Sequence, residues 1–185
     1  MKIKIIILAL IAAFLVLLPG AVLAKEAVIS DVVVTNSSTD LLLYLKVENA
    51  FTPELLAGVQ NGLPITFSYQ INLDLVRSAW LNKNIYAGRV DYTLAYDNLK
   101  KEYSVQGGGQ DAKFITTDLA VAQKRMAELN GVVIVPLKTL EPDRQYILKA
   151  RVVLDKKSLP FHFNYLLPFS LWDLKTDWYS VEFRY

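Results

Sequence analysis

The 185-residue chain carries 20 basic and 18 acidic residues, one histidine and no cysteine, for a formal charge of +2. That balance offers no electrostatic footprint for phosphate backbones, which argues against a nucleic-acid partner. The same inventory excludes disulfides, a Cys–His pair and a multi-histidine zinc site, so the fold must be held by its core alone.

In chain order the first element is a leader. Lys2 and Lys4 precede an unbroken apolar run, Ile5 to Leu18, and Pro19-Gly20 then breaks the helix before Val22-Leu23-Ala24. A positive start, an apolar stretch and short side chains at the minus-three and minus-one positions form the pattern of a cleavable signal peptide. The expectation is a signal peptide over residues 1–24, cut between Ala24 and Lys25, followed by one periplasmic β-rich domain over residues 25–185. The alternative is an uncleaved anchor in the inner membrane, since residues 3–24 could just cross a hydrocarbon core of roughly 30 Å if Lys4 snorkels. The unbroken apolar run, Ile5 to Leu18, falls short of the about 18 residues a true span requires, which favours cleavage. The membrane is then touched only through the leader, if that stays attached. Cleavage also removes Lys2 and Lys4 and leaves a formally neutral domain.

Val28 to Thr35 and Leu41 to Glu48 read as strands on either side of the turn Asn36-Ser-Ser-Thr-Asp40. Thr52 can cap a helix with Pro53 at its first position, Leu55, Leu56 and Val59 on one face, and Asn61-Gly62 at its end. Past Pro64, every odd residue from Ile65 to Leu75 is apolar and every even one polar, which predicts a long strand with one wet face. Tyr86 to Tyr96 repeats the alternation, as does Tyr146 to Leu154. Glu102 to Gln106, Lys113 to Thr116, Val132 to Leu137 and Trp178 to Tyr185 are further strand candidates. A second helix opens at Thr117 or Asp118, with Leu119, Ala122, Met126 and Leu129 as its inward stripe and Asn130-Gly131 as its stop. One-sided alternation with short polar turns indicates antiparallel hairpins. The predicted fold is therefore mainly β, a single antiparallel β-sandwich or curved half-barrel, a meander of long strands with two short helices packed on it.

The order of segments resembles the bacterial domain-of-unknown-function family 4390 (DUF4390). The residues that carry the likeness are Phe51-Thr-Pro-Glu-Leu, Gly62-Leu-Pro64-Ile-Thr-Phe67, Trp80, Tyr92-x-Leu-x-Tyr96, Tyr103 and Phe114. They continue with Ala150-Arg151-Val152-x-Leu154-Asp155, Leu159-Pro160 and the pair Trp172 and Trp178. The likeness runs from about Ile29 to the C-terminus. It implies an exported protein of Gram-negative bacteria with no assigned activity, often encoded beside a membrane histidine kinase of the nitrogen-regulation type. The aromatic tail Asp177 to Tyr185 is longer than the family's usual pattern.

Catalytic chemistry has few routes here. His162 lies in Leu159-Pro-Phe-His-Phe-Asn164, and no Gly-x-Ser-x-Gly elbow accompanies it. Asp74, Asp91, Asp97, Asp155, Asp173 and Asp177 could in principle supply a carboxylate pair, against which stands the plainer role of turn caps and wet-face residues. Gly107-Gly108-Gly109 lacks a following Lys-Ser/Thr and precedes a strand, so it reads as a hairpin tip. No catalytic residue, cofactor or metal is expected. Ten Tyr, eight Phe and three Trp give a β core its usual filling, and would equally line an apolar pocket. Trp80, Trp172 and Trp178 are the candidate contacts for a ligand or partner.

The expected function is a non-enzymatic binding or accessory module of the cell envelope, with an envelope protein as partner. One alternative is a carrier of an apolar, lipid-like ligand. The other is a small outer-membrane β-barrel, prompted by the closing alternation Tyr179-x-Val181-x-Phe183-x-Tyr185.

Overall fold

Alternating apolar and polar residues produce β1 (Val28–Asn36), β2 (Asp40–Glu48), β3 (Ile65–Leu75), β4 (Lys83–Asp97) and β5 (Glu102–Gly107). The same pattern gives β6 (Gln110–Thr116), β8 (Gln145–Leu154) and β9 (Tyr179–Arg184), and a β-branched run gives β7 (Glu128–Pro136). Two short helices, α1 (Pro53–Gln60) and α2 (Leu119–Ala127), interrupt them. The computed structural model describes residues 26–79, 81–108, 110–155 and 174–185. The leader with its Ala24–Lys25 junction, Trp80, His162 and Trp172 lie outside the described residues.

The strands form two sheets, β1-β2-β7 and β6-β5-β4-β3-β8-β9, in which every pairing is antiparallel. The run β3-β4-β5-β6 is the expected meander, and β8 returns to the opposite edge of β3. Both sheets feed one core. Leu41, Leu43 and Leu45 of β2 are buried together with Ile65, Phe67, Tyr69, Ile71 and Leu73 of β3 and Tyr146, Leu148 and Val152 of β8. Each such side chain, fully removed from water, contributes about 1.5–3 kcal/mol. A sandwich therefore fits, and a closed barrel does not, because each sheet ends in edge strands among the described residues.

The helices cover the ends of the core. In α1 the Thr52 hydroxyl accepts the Leu55 N–H at 3.2 Å, Pro53 occupies the first turn, and Leu55 and Val59 are buried. In α2 Asp118 accepts the Ala120 N–H at 2.7 Å, and Ala122 and Met126 are buried. The Tyr69 hydroxyl donates to the Met126 carbonyl oxygen at 2.6 Å, tying the end of α2 to the central strand.

One expectation needs correcting. The helical spacing Leu119, Ala122, Met126, Leu129 stops a turn early, since Glu128 is already extended at φ −122°, ψ 129° and Leu129 is buried as a strand residue opposite Leu45. The β-branched run Val132 to Val135 makes the strand the better use of this segment. Asn130-Gly131 is not a helix stop: Gly131 has φ +72° inside β7, beside an irregularity in the β2–β7 register. Only a residue without Cβ enters that conformation without strain.

Candidate functional site

The outward face of the six-stranded sheet is where the polar half of the alternation collects. Even positions of β3 present Thr66, Ser68, Gln70, Asn72 and Asp74. Across the β4 register lie Thr93, Asp91, Arg89, Ala87 and Asn84 in turn, and across β8, opposite Ser68 to Asp74, lie Val153, Arg151, Lys149 and Ile147. Antiparallel neighbours lie about 4.8 Å apart, so side chains in one row are within mutual reach.

Each row is bonded. The hydroxyls of Thr66 and Thr93 are 2.9 Å apart, and Ser68 donates to Asp91 at 2.6 Å. Asp91 also meets Arg89 at 2.7 Å, and Arg89 reaches Asp155 at 3.7 Å. In the next row Arg151 donates through Nε to the Gln70 Oε1 at 2.8 Å. Further along, Asp74 accepts from Asn84 at 2.9 Å and pairs with Lys149 at 3.6 Å. Burial is graded along this face: Ser68 is 1% exposed, whereas Gln70, Asn72 and Asp74 are half-buried. The sequence reading of a uniformly wet face therefore holds only for the far half of β3. Buried hydroxyls demand partners, and here each has one.

The C-terminal segment completes the platform. Past the end of β8, Leu154 N–H donates to Leu174 O at 2.8 Å and Thr176 N–H to Val152 O at 2.9 Å. The buried Thr176 hydroxyl accepts the Val152 N–H at 3.0 Å. With Tyr179 opposite Ala150, this docking places Trp178 under Arg151, whose guanidinium carbon lies 4.5 Å from the indole centroid. Trp178 is 40% exposed. It is the one candidate tryptophan within the described residues, and its cationic partner had no signal in local spacing.

The other face of the sheet is core. Tyr69 meets Tyr92 edge-on at 5.9 Å, Phe67 lies 5.2 Å from Phe51, and Tyr146 stacks on Phe183 at 5.7 Å. Burial, above all, pushes the Tyr69 phenol up beyond the usual tyrosine range. It raises Tyr92 as well, against an opposing pull from Arg125. The inward aromatics are thus packed on one another.

The carboxylates offered by the sequence serve pairing and capping. Asp74, Asp91 and Asp155 are matched to cations or donors as described. Asp97 accepts the N–H groups of Lys100 at 3.0 Å and Leu99 at 2.9 Å, and these bonds, Lys100 first, hold its carboxyl below the usual range. Asp177 is exposed, and Asp173 lies outside the described residues. At the β5–β6 tip, Gly107 has φ +141° and a Cβ there would meet the Asp91 carbonyl oxygen at 1.9 Å, so this glycine fits the hairpin against β4. Gly109 lies outside the described residues.

The chain matches the family described as a domain of unknown function (DUF4390) over residues 24–182, nearly its whole length, and belongs to that family. No curated protein and no solved structure matches it.

Proposed function

We propose that this DUF4390 protein is a non-enzymatic binding or accessory module of the cell envelope, exported through its leader, that docks a protein partner on the outward face of the six-stranded sheet. The observation that carries the reading is the bonded platform itself. Rows of side chains are fixed by cross-strand hydrogen bonds from β4 to β8, and an exposed tryptophan stacks on arginine at one end. Rigid polar rows with an aromatic–arginine anchor suit recognition, because little side-chain freedom is left to lose on binding. The leader supports the compartment. The likeness to proteins encoded beside membrane histidine kinases supports a partner in the same envelope.

Site-specific photo-crosslinking in the producing cell tests it. Crosslinkers at Ala87 and Ser180, exposed positions on the outward face, are expected to give one discrete adduct, and a crosslinker at Leu99, on an exposed turn, none. N-terminal sequencing of the recovered protein is expected to begin at Lys25. Equal adducts from all three positions, or none from Ala87 and Ser180, would overturn the docking face, and an intact Met1 would overturn the cleaved leader.

A further inference from the structure

We infer that Arg151, clamped between Gln70 and Trp178, is a receptor for a carboxylate of that protein partner. The inference rests on the outward face being the docking face and adds its chemistry.

Several cations of the six-stranded sheet have no carboxylate within ion-pair distance among the described residues, but Arg184 of β9 and Lys113 of β6 are exposed, whereas Arg151 is half-buried in the bonded network. Arg89 is matched to Asp91 and Asp155, and Lys149 to Asp74. Glu182 of β9 accepts from the Gln145 amide at 2.7 Å. Arg151 sits in the same row as Arg89, with Gln70 between them, yet no carboxylate lies within ion-pair distance of it among the described residues. It is half-buried and bonded to neutral groups on two sides. A cation set this way keeps its full charge to offer.

The geometry also states which atoms are on offer. Nε is committed to Gln70, and Cζ lies over the indole ring at 4.5 Å from its centroid. What remains is the pair of Nη groups, whose parallel N–H bonds match the two oxygens of a carboxylate. Arginine stacked on an aromatic ring has already surrendered most of its rotamer freedom, so a bidentate contact forms with little further ordering. The neighbouring indole, still 40% exposed, gives an apolar shelf for the carbon chain of a glutamate.

Two-dimensional NMR of the isotope-labelled protein, produced with its own leader, tests this. A capped peptide with alternating Gly and Glu is titrated against the same peptide carrying Gln, with inorganic phosphate as a third probe. The expected result is a saturable shift of the Arg151 Nε–H and Trp178 indole N–H signals with the Glu peptide, at least tenfold weaker with the Gln peptide and with phosphate. In Arg151→Gln the indole response disappears, while in Arg151→Lys it weakens at least tenfold, because the ammonium keeps the charge and loses the fork. Unchanged amide spectra show that both variants are folded. Equal shifts with Glu and Gln peptides, a phosphate response as strong as the Glu response, or an Arg151→Gln protein that still responds would each overturn the carboxylate receptor. Crosslinks at Ala87 and Ser180 that persist without any peptide response would leave the docking face standing and remove this inference alone.

Discussion

The two faces of β3 use one strand for opposite kinds of chemistry. Inward, Ile65, Phe67, Tyr69, Ile71 and Leu73 are buried among apolar neighbours from both sheets, and what holds them is non-directional packing. Outward, Thr66, Ser68, Gln70 and Asp74 each meet a named partner one strand away. A packed side chain leaves a cavity when truncated, whereas a bonded one leaves a polar atom that can often turn to water or to a second partner. The inward face therefore sets stability, and the outward face sets what the surface presents. Arg151 follows from that division: it is the point where the outward network stops at neutral partners.

The strongest way to break the comparison is Phe67→Ala. Phe67 is fully buried against Phe51, and its truncation is expected to cost about 3–5 kcal/mol in chemical denaturation. That is a large part of the about 5–15 kcal/mol a domain holds in total. A loss no greater than that of an outward truncation would show that the two faces share the load. Tyr69→Phe comes next, at about 1–3 kcal/mol, since it strands the Met126 carbonyl oxygen in the core. It also carries a pH signature. Burial keeps the native phenol protonated where the unfolded chain ionises, near pH 10. Unfolding then releases a proton, so the contribution is intact below pH 10 and is lost at about 1.4 kcal/mol per pH unit above it. Denaturation midpoints of Tyr69→Phe are expected to fall less steeply on the alkaline side than those of the parent. Parallel alkaline limbs would mean the phenol is not the group responsible.

Ser68→Ala sharpens the other side. Ser68 is as buried as the core residues, yet its removal leaves Asp91 with Arg89 still at 2.7 Å. The expected cost is about 1 kcal/mol. A cost equal to that of Phe67→Ala would place this end of the outward face within the core, energetically as well as geometrically.

Much of this division was legible in the alternation from Ile65 to Leu75, because a period of two assigns every side chain to a face before any partner is known. The strands, the N-caps of both helices and the hairpin glycines follow from equally local rules. What escaped was set by register. Nothing near Trp178 in the chain announces Arg151; only the pairing of Ala150 with Tyr179 brings them together. The burial of Thr66 and Ser68 likewise comes from tertiary cover over one end of the sheet, to which a local alternation is blind. Leu129 misled because three residues past Met126 is an inward position for a helix, and the same side chain is inward for the strand that actually forms. Family membership was readable from the ordered aromatic and proline landmarks, which local pattern alone would not have joined into one signature.

The smallest effect lies farthest from both faces, in the turn after β4. Asp97 accepts two backbone N–H groups there, and those bonds hold its carboxyl below the usual range. The native state then binds this proton less readily than the unfolded chain. The stabilisation is present above the unfolded value, near pH 4, and is lost as pH falls through the lower native value. Asp97→Asn retains a side-chain oxygen that can accept both N–H groups but cannot ionise. At neutral pH its thermal midpoint is expected below the parent's by less than any change above, with the gap closing between pH 4 and pH 2. A gap that stays constant over that range would assign the difference to turn geometry and not to charge. Because the turn touches neither the packed nor the bonded face of β3, the Glu-peptide response at Arg151 is expected to be the same in Asp97→Asn as in the parent.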